Sequence, residues 1–227
     1  MLQTNTLQIV VALVIAVVLH ELAHGAVARL FGDQTAERAG RLTLNPLRHI
    51  DQIGSIAVPL VLAAGQLASI GRIEFLYGWA KPVPVDPLAL RLHGARHPRQ
   101  LMAVVAAAGP LTNFLLALLA GFALHLGYAQ TFLAYFILIN LTLGIFNLLP
   151  IPPLDGGRIL VGILPMRLAV FVARGEKLGI VAVLLILFVL PVTLAQFGIQ
   201  FSPFNDVMSV LLPWALHKVM LITGHGF

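Results

Sequence analysis

Apolar positions in this chain come in long blocks, separated by short polar stretches rich in Gly, Pro and Arg. The first block, residues 7–30, holds 24 residues, or about 36 Å of helix, which is enough to cross a bilayer. Arg29 and then Phe31-Gly32-Asp33 end it. Residues 101–126, 131–149, 178–197 and 207–222 are further blocks of membrane-spanning length. The block at 53–70 is interrupted by Pro59 and Gly65, which predicts a re-entrant hairpin rather than a span. Two stretches have another period. Gly40-Arg41-Leu42-Thr43-Leu44 alternates as a strand does and stops at Asn45-Pro46, and residues 78–85 are kept extended by Pro82 and Pro84. The pattern therefore predicts an all-α polytopic membrane protein. It would have about five transmembrane helices, a re-entrant hairpin, and short β-strands between the first core helices. Residues 1–227 read as one domain, with a core at 7–160 and accessory helices at 178–222.

Composition agrees. Hydrophobic residues make up 59% and charged residues only 10%, against about a quarter charged in soluble domains. The net charge of +5 comes from Arg and Lys beside the apolar blocks. That suits an anionic lipid leaflet and argues against nucleic acid as a partner. The first block carries no positive residue ahead of it and is longer than a signal-peptide core, so it is expected to persist as a mature helix. Residues 1–6, 127–130 and 198–206 contain no Arg or Lys, whereas 158–177 contain four and the tail has Lys218. The bias predicts the Met1 end and Tyr128 outside, with residues 158–177 and the tail in the cytoplasm.

Within the first block stands His20-Glu21-Leu22-Ala23-His24. Positions i and i+4 share a helix face, so both imidazoles can ligate one metal ion, and Glu21 is near enough to act on a water there. Ionisable groups inside an apolar span are costly, which favours a functional reading. With no cysteine, a zinc ion must take His, Asp, Glu or water as ligands, and catalytic zinc usually has three protein ligands. Asp155 is the leading third ligand, because Pro150, Pro152 and Pro153 break the helix ahead of it. It also reads as an N-cap for a helix starting at Gly156. His93 and His97 are four apart too, but no acid lies between them and they read as a solvated pair.

Three motifs together, His20-Glu21-x-x-His24, Gly109-Pro110-x-x-Asn113 and Asn147-x-x-Pro150-x-x-Pro153-Leu154-Asp155-Gly156, resemble the site-2 protease family of intramembrane zinc metalloproteases, peptidase family M50. The similarity covers residues 8–160 and is to the short prokaryotic form without PDZ or CBS domain. It implies an endopeptidase that cleaves within or beside a transmembrane segment of a membrane-protein substrate. One zinc per chain would be held by His20, His24 and Asp155, with Glu21 as general base and then acid. Asn113 and Asn147 are candidates to hold the substrate or the oxyanion. Asn113 serves equally well as a hydrogen-bonding link between helices, and Asn140 is expected to be such a link. The same arginine bias puts the site toward the cytoplasm, and the chain is expected in the inner membrane. A metal-ion transporter or an inactive membrane binding protein are the alternatives. The first would want ligands spread along a path, and the second conflicts with a complete set of catalytic residues.

Overall fold

The computed structural model describes residues 2–72, 78–92, 97–175, 179, 183 and 185–226. Three helices form its centre: α1 (Leu2–Leu30), with α3 (Pro98–Ala123) and α4 (Gln130–Asn147) packed against it and each other. Between α1 and α3, the helix α2 (Val58–Ile70) stands largely apart from them. After α4 come α5 (Asp155–Ile163), α6 (Met166–Arg174) and α7 (Pro203–Ile222).

The packing of α1 follows from its small residues. Ala12, Ala16, His20, His24 and Ala28 are all buried and lie four residues apart, so they make one stripe along the helix. The facing side of α3 is equally small: Ala103, Ala106, Gly109, Asn113, Ala117 and Ala120 are buried. Small residues on both sides let the backbones approach, as helices must where no hydrophobic effect drives them together. The histidines lie on this seam. Larger side chains, among them Phe136, Ile137, Leu141 and Ile145 of α4 and Met208 and Val219 of α7, fill the remaining core.

Several expectations need correction. Three helices among the described residues are long and apolar enough to cross a membrane: Asn5–Leu30, Pro98–Leu126 and Gln130–Asn147. Of the expected span at 178–197, residues 178, 180–182 and 184 lie outside the described residues, and the described part forms a π-helical turn over Leu185–Val189 and a short α-helix over Leu190–Ala195. His93 lies outside them too. The block at 53–70 does not break at Pro59 or Gly65. It runs as one helical stretch, a π-turn over Gln52–Ala57 continuing into α2. Pro59 falls where the π-turn passes into α2, and Gly54 O, five residues back, accepts from Trp79 N–H in place of the donor that proline lacks. No turn forms at Gly65.

No β-strand forms among the described residues. Residues 78–86 are extended, but Pro82 and Pro84 strip N–H donors from one edge. The other edge is already used: Lys81 N–H donates to His49 O at 2.8 Å, and Val83 N–H to a carboxylate described below. Trp79 N–H bonds to Gly54 O, so the chain returns to the base of the π-turn.

The last helix runs opposite to expectation. Phe204, at its start, packs edge-on against Phe146 at the end of α4, with ring centroids 5.8 Å apart. Thr223, at its end, fits against Gly121 near the end of α3, and His125 Nε2 donates to Thr223 O at 2.6 Å. Helix α7 is therefore antiparallel to α4, and its C-terminal end lies with His125 and not with Asp155. The absence of a side chain at Gly121 permits this close contact, which outweighs the weak topological pull of Lys218. In a chain without cysteine, the double variant Phe146→Cys/Phe204→Cys is expected to cross-link on oxidation, and Phe146→Cys/Met220→Cys is not. The reverse pattern, read on a gel, would contradict this packing.

Candidate metal centre

Helix α1 presents His20 and His24 toward α3, with their rings edge to face at 4.7 Å. Asp155 arrives from the other side. After α4 ends at Asn147, residues 148–154 turn back through three prolines, and Asp155 opens α5. A side chain at Gly156 would overlap the carbonyls of Leu148 and Leu149, so only glycine closes this turn. Asp155 is the first helical residue, and the Leu154 cap position makes no side-chain cap bond. The Asp155 carboxylate turns inward instead. His20 Nε2 lies 3.1 Å and His24 Nε2 3.3 Å from Asp155 Oδ2, and the two Nε2 atoms are 3.1 Å apart.

Hydrogen bonding behind the rings decides which atoms face this point. His24 Nδ1 is 2.8 Å from Val105 O, a carbonyl that can only accept, so Nδ1 carries the proton. For His20 the hydrogen-bond relay begins further back, at Phe136 O, which accepts from Asn140 Nδ2 at 2.8 Å. That turns Asn140 Oδ1 toward Asn113 Nδ2, also at 2.8 Å. Asn113 Oδ1 is then left to accept from His20 Nδ1 at 2.6 Å. Both rings are thus protonated on Nδ1 and turn a bare Nε2 inward, as metal-ligating histidines do. Asn113 and Asn140 are fully buried, so this bracing is shielded from water.

Two imidazole lone pairs and a carboxylate oxygen face one another in a buried space. Asp155 Oδ2 accepts no directed hydrogen bond. As a metal ligand Asp155 would be the carboxylate, a form that a bound cation would stabilise. Tetrahedral zinc with bonds of ~2.0–2.1 Å sets its ligand atoms roughly 3.3–3.4 Å apart. The observed separations of 3.1, 3.1 and 3.3 Å fit that geometry. A metal ion at this point would relieve the repulsion among the three atoms. This is the one cluster of three or more potential ligands among the described residues.

A cavity of about 390 Å³ opens onto the cluster. Glu21, Asn147 and Arg158 line it, with Val83 and Val85 of the extended segment. Glu21 Oε2 accepts from Val83 N–H at 2.9 Å. Of the residues singled out from sequence, His20, Glu21, His24, Asp155 and Asn147 come together around this cavity. Asn113 does not line it and stands behind His20. Sequence reading missed Val105, whose contribution is a backbone carbonyl and leaves no trace in residue type. It also missed the steric role of Gly109: a Cβ there would lie 2.6 Å from His20 Nε2 and collide with His24.

Comparison with known proteins adds an independent line. The family model described as Peptidase family M50 matches residues 121–190, a range that includes Asn147 and Asp155. The Bacillus subtilis (strain 168) protein named "Putative zinc metalloprotease YwhC" is 38% identical over 196 residues, covering 81% of this chain and 80% of the relative. "Putative zinc metalloprotease Rip2" of Mycolicibacterium smegmatis is 32% identical over 149 residues, 61% of this chain and 50% of the relative. No solved structure matches.

Asn113→Ala removes the acceptor that orients His20. It is expected to weaken zinc binding about 10–100-fold, the usual cost of losing such a partner, when measured by chelator competition. Wild-type affinity in that variant would show that His20 does not depend on Asn113.

Proposed function

The chain belongs to peptidase family M50, and from that premise we propose that it is a membrane-embedded zinc endopeptidase. Its substrate is a membrane protein, cut within or next to a transmembrane segment. The observation that carries this reading is the convergence of His20 Nε2, His24 Nε2 and Asp155 Oδ2 on one buried point, with Glu21 in the same cavity.

His20, His24 and Asp155 would hold one zinc ion per chain. Bound zinc supplies Lewis acidity, polarising the scissile carbonyl and lowering the pKa of water. The remaining chemistry belongs to the chain. Glu21 takes a proton from the attacking water and passes it to the leaving amine. Asn147, on the cavity wall with its amide tied to Leu143 O at 3.0 Å, is placed to meet the substrate backbone. Asn113 acts through His20 and does not touch substrate. The apolar helices around the cavity keep bulk water scarce, which strengthens every charge interaction inside. A substrate helix must open locally, because its carbonyls are otherwise hydrogen-bonded along the helix.

The arginine pattern supports an inner-membrane location with the site toward the cytoplasm. Arg29 ends α1 on the site's side, and Arg158 lines the cavity. Residues 124–130, at the far end of the bundle, contain no Arg or Lys. Transport of a metal ion is the weaker reading, because the described ligands form one converging cluster with no second site along a path.

Glu21→Gln tests the chemistry directly. The variant is expected to keep about one zinc per chain while losing at least ~100-fold in peptide cleavage, the scale of general acid–base catalysis. Metal analysis and a purified transmembrane-peptide assay measure the two quantities. Comparable turnover in the variant would remove Glu21 from the mechanism.

A further inference from the structure

Arg41 is buried, at 6% exposure, and has no acidic partner among the described residues. Its guanidinium donates instead to three backbone carbonyls: Arg48 O, Lys81 O and, at 3.3 Å, Pro82 O. Burying a charge with no counter-charge is costly. A neutral donor would tie these loops together without that cost. Nor does the extended segment need Arg41 to stay in place. Trp79 N–H bonds to Gly54 O, Lys81 N–H to His49 O, and Asp86 N–H to Asp33 Oδ2 at 2.7 Å.

What the charge reaches explains it better. Pro82 C=O and Val83 N–H belong to one peptide unit. Arg41 sits at the oxygen end of that unit, and Glu21 Oε2 accepts from its N–H end at 2.9 Å. A cation at a carbonyl oxygen draws electron density from the amide and makes its N–H a stronger donor, as linked hydrogen bonds polarise one another. Close packing keeps the unit aligned: a Cβ on Gly25, one turn beyond Glu21, would lie 3.0 Å from Val83 and 2.5 Å from Leu42.

We propose that Arg41 is a positioning residue for Glu21, acting through the Pro82–Val83 peptide. Its charge strengthens the Val83 N–H bond that fixes one oxygen of the Glu21 carboxylate and leaves the other directed at the attacking water. The proposal rests on Glu21 serving as general base.

The test compares Arg41→Gln with Arg41→Lys in the full-length, zinc-loaded protein. Arg41→Gln keeps a neutral donor and is expected to lose at least ~10-fold in kcat, with KM within about threefold and zinc content unchanged. Arg41→Lys keeps the charge and is expected to retain most of kcat. Equal loss in both variants, or a raised KM with kcat intact, overturns the proposal. A second readout needs no turnover: hydrogen exchange at the Val83 amide should quicken in Arg41→Gln while Trp79 and Asp86 stay protected. Unchanged exchange at Val83 overturns it, and so does equal quickening at all three. Should Arg41→Gln fail to fold, Arg41→Ala with millimolar guanidinium or urea replaces it. Rescue by guanidinium alone supports the role of charge, and equal rescue by urea overturns it. Wild-type cleavage that vanishes in Glu21→Gln establishes the premise. If that fails, the peptidase reading falls, and the exchange measurement still decides the Arg41–Val83 link.

Discussion

Three electron-rich atoms, two imidazole nitrogens and a carboxylate oxygen, cannot sit about 3 Å apart in an apolar bundle without a cation or a proton among them. Much of the chain is arranged around that constraint. The alanine stripe of α1 and the small face of α3 bring the backbones close enough for both rings to be held from behind. Gly109 leaves room for the two imidazoles, and Gly156 lets the turn after α4 close so that Asp155 points inward. The Asn113–Asn140 link carries the orientation of His20 back to a helix carbonyl of α4. Each device serves to present a lone pair with its proton elsewhere.

The same logic extends to the far wall of the cavity. Residues 78–86 behave as a strap pinned by four backbone donors: Trp79 to Gly54, Lys81 to His49, Val83 to Glu21 and Asp86 to Asp33. Prolines remove the donors that would otherwise invite a second strand. A rigid strap gives Glu21 a fixed neighbour on the side away from the imidazoles. The Glu21 carboxylate is therefore oriented by backbone drawn from a segment 62 residues distant in sequence.

Much of the site was legible because burying ionisable groups in an apolar helix is expensive, so their presence carries information. His20 and His24 stand out by a spacing of four within a membrane-length block, and Asp155 by the prolines that break the helix before it. What was illegible has equally physical causes. Whether Asn113 faces the cavity or the back of His20 depends on amide orientation, which residue type does not encode. Val105 contributes a carbonyl that every residue possesses. The alternation at 40–44 resembles a strand, yet Arg41 spends its hydrogen bonds as a side chain tying loops together. The direction of α7 was misread because one lysine was weighed above the fit of Thr223 against Gly121. Pro59 was taken as a helix breaker, although the carbonyl left over by its missing N–H finds a donor in Trp79, a contact that the local sequence does not announce.

We propose that His20, His24 and Asp155 hold zinc together. X-ray absorption at the zinc edge tests it most directly, because the chain contains no cysteine and any sulfur ligand must be introduced. The wild type should show a four-coordinate shell of nitrogen and oxygen at ~2.0–2.1 Å, with imidazole scattering from two histidines. In Asp155→Cys one of those scatterers should be replaced by sulfur at ~2.3 Å. A sulfur-free shell in a variant that still binds zinc would place the third ligand elsewhere and contradict the account.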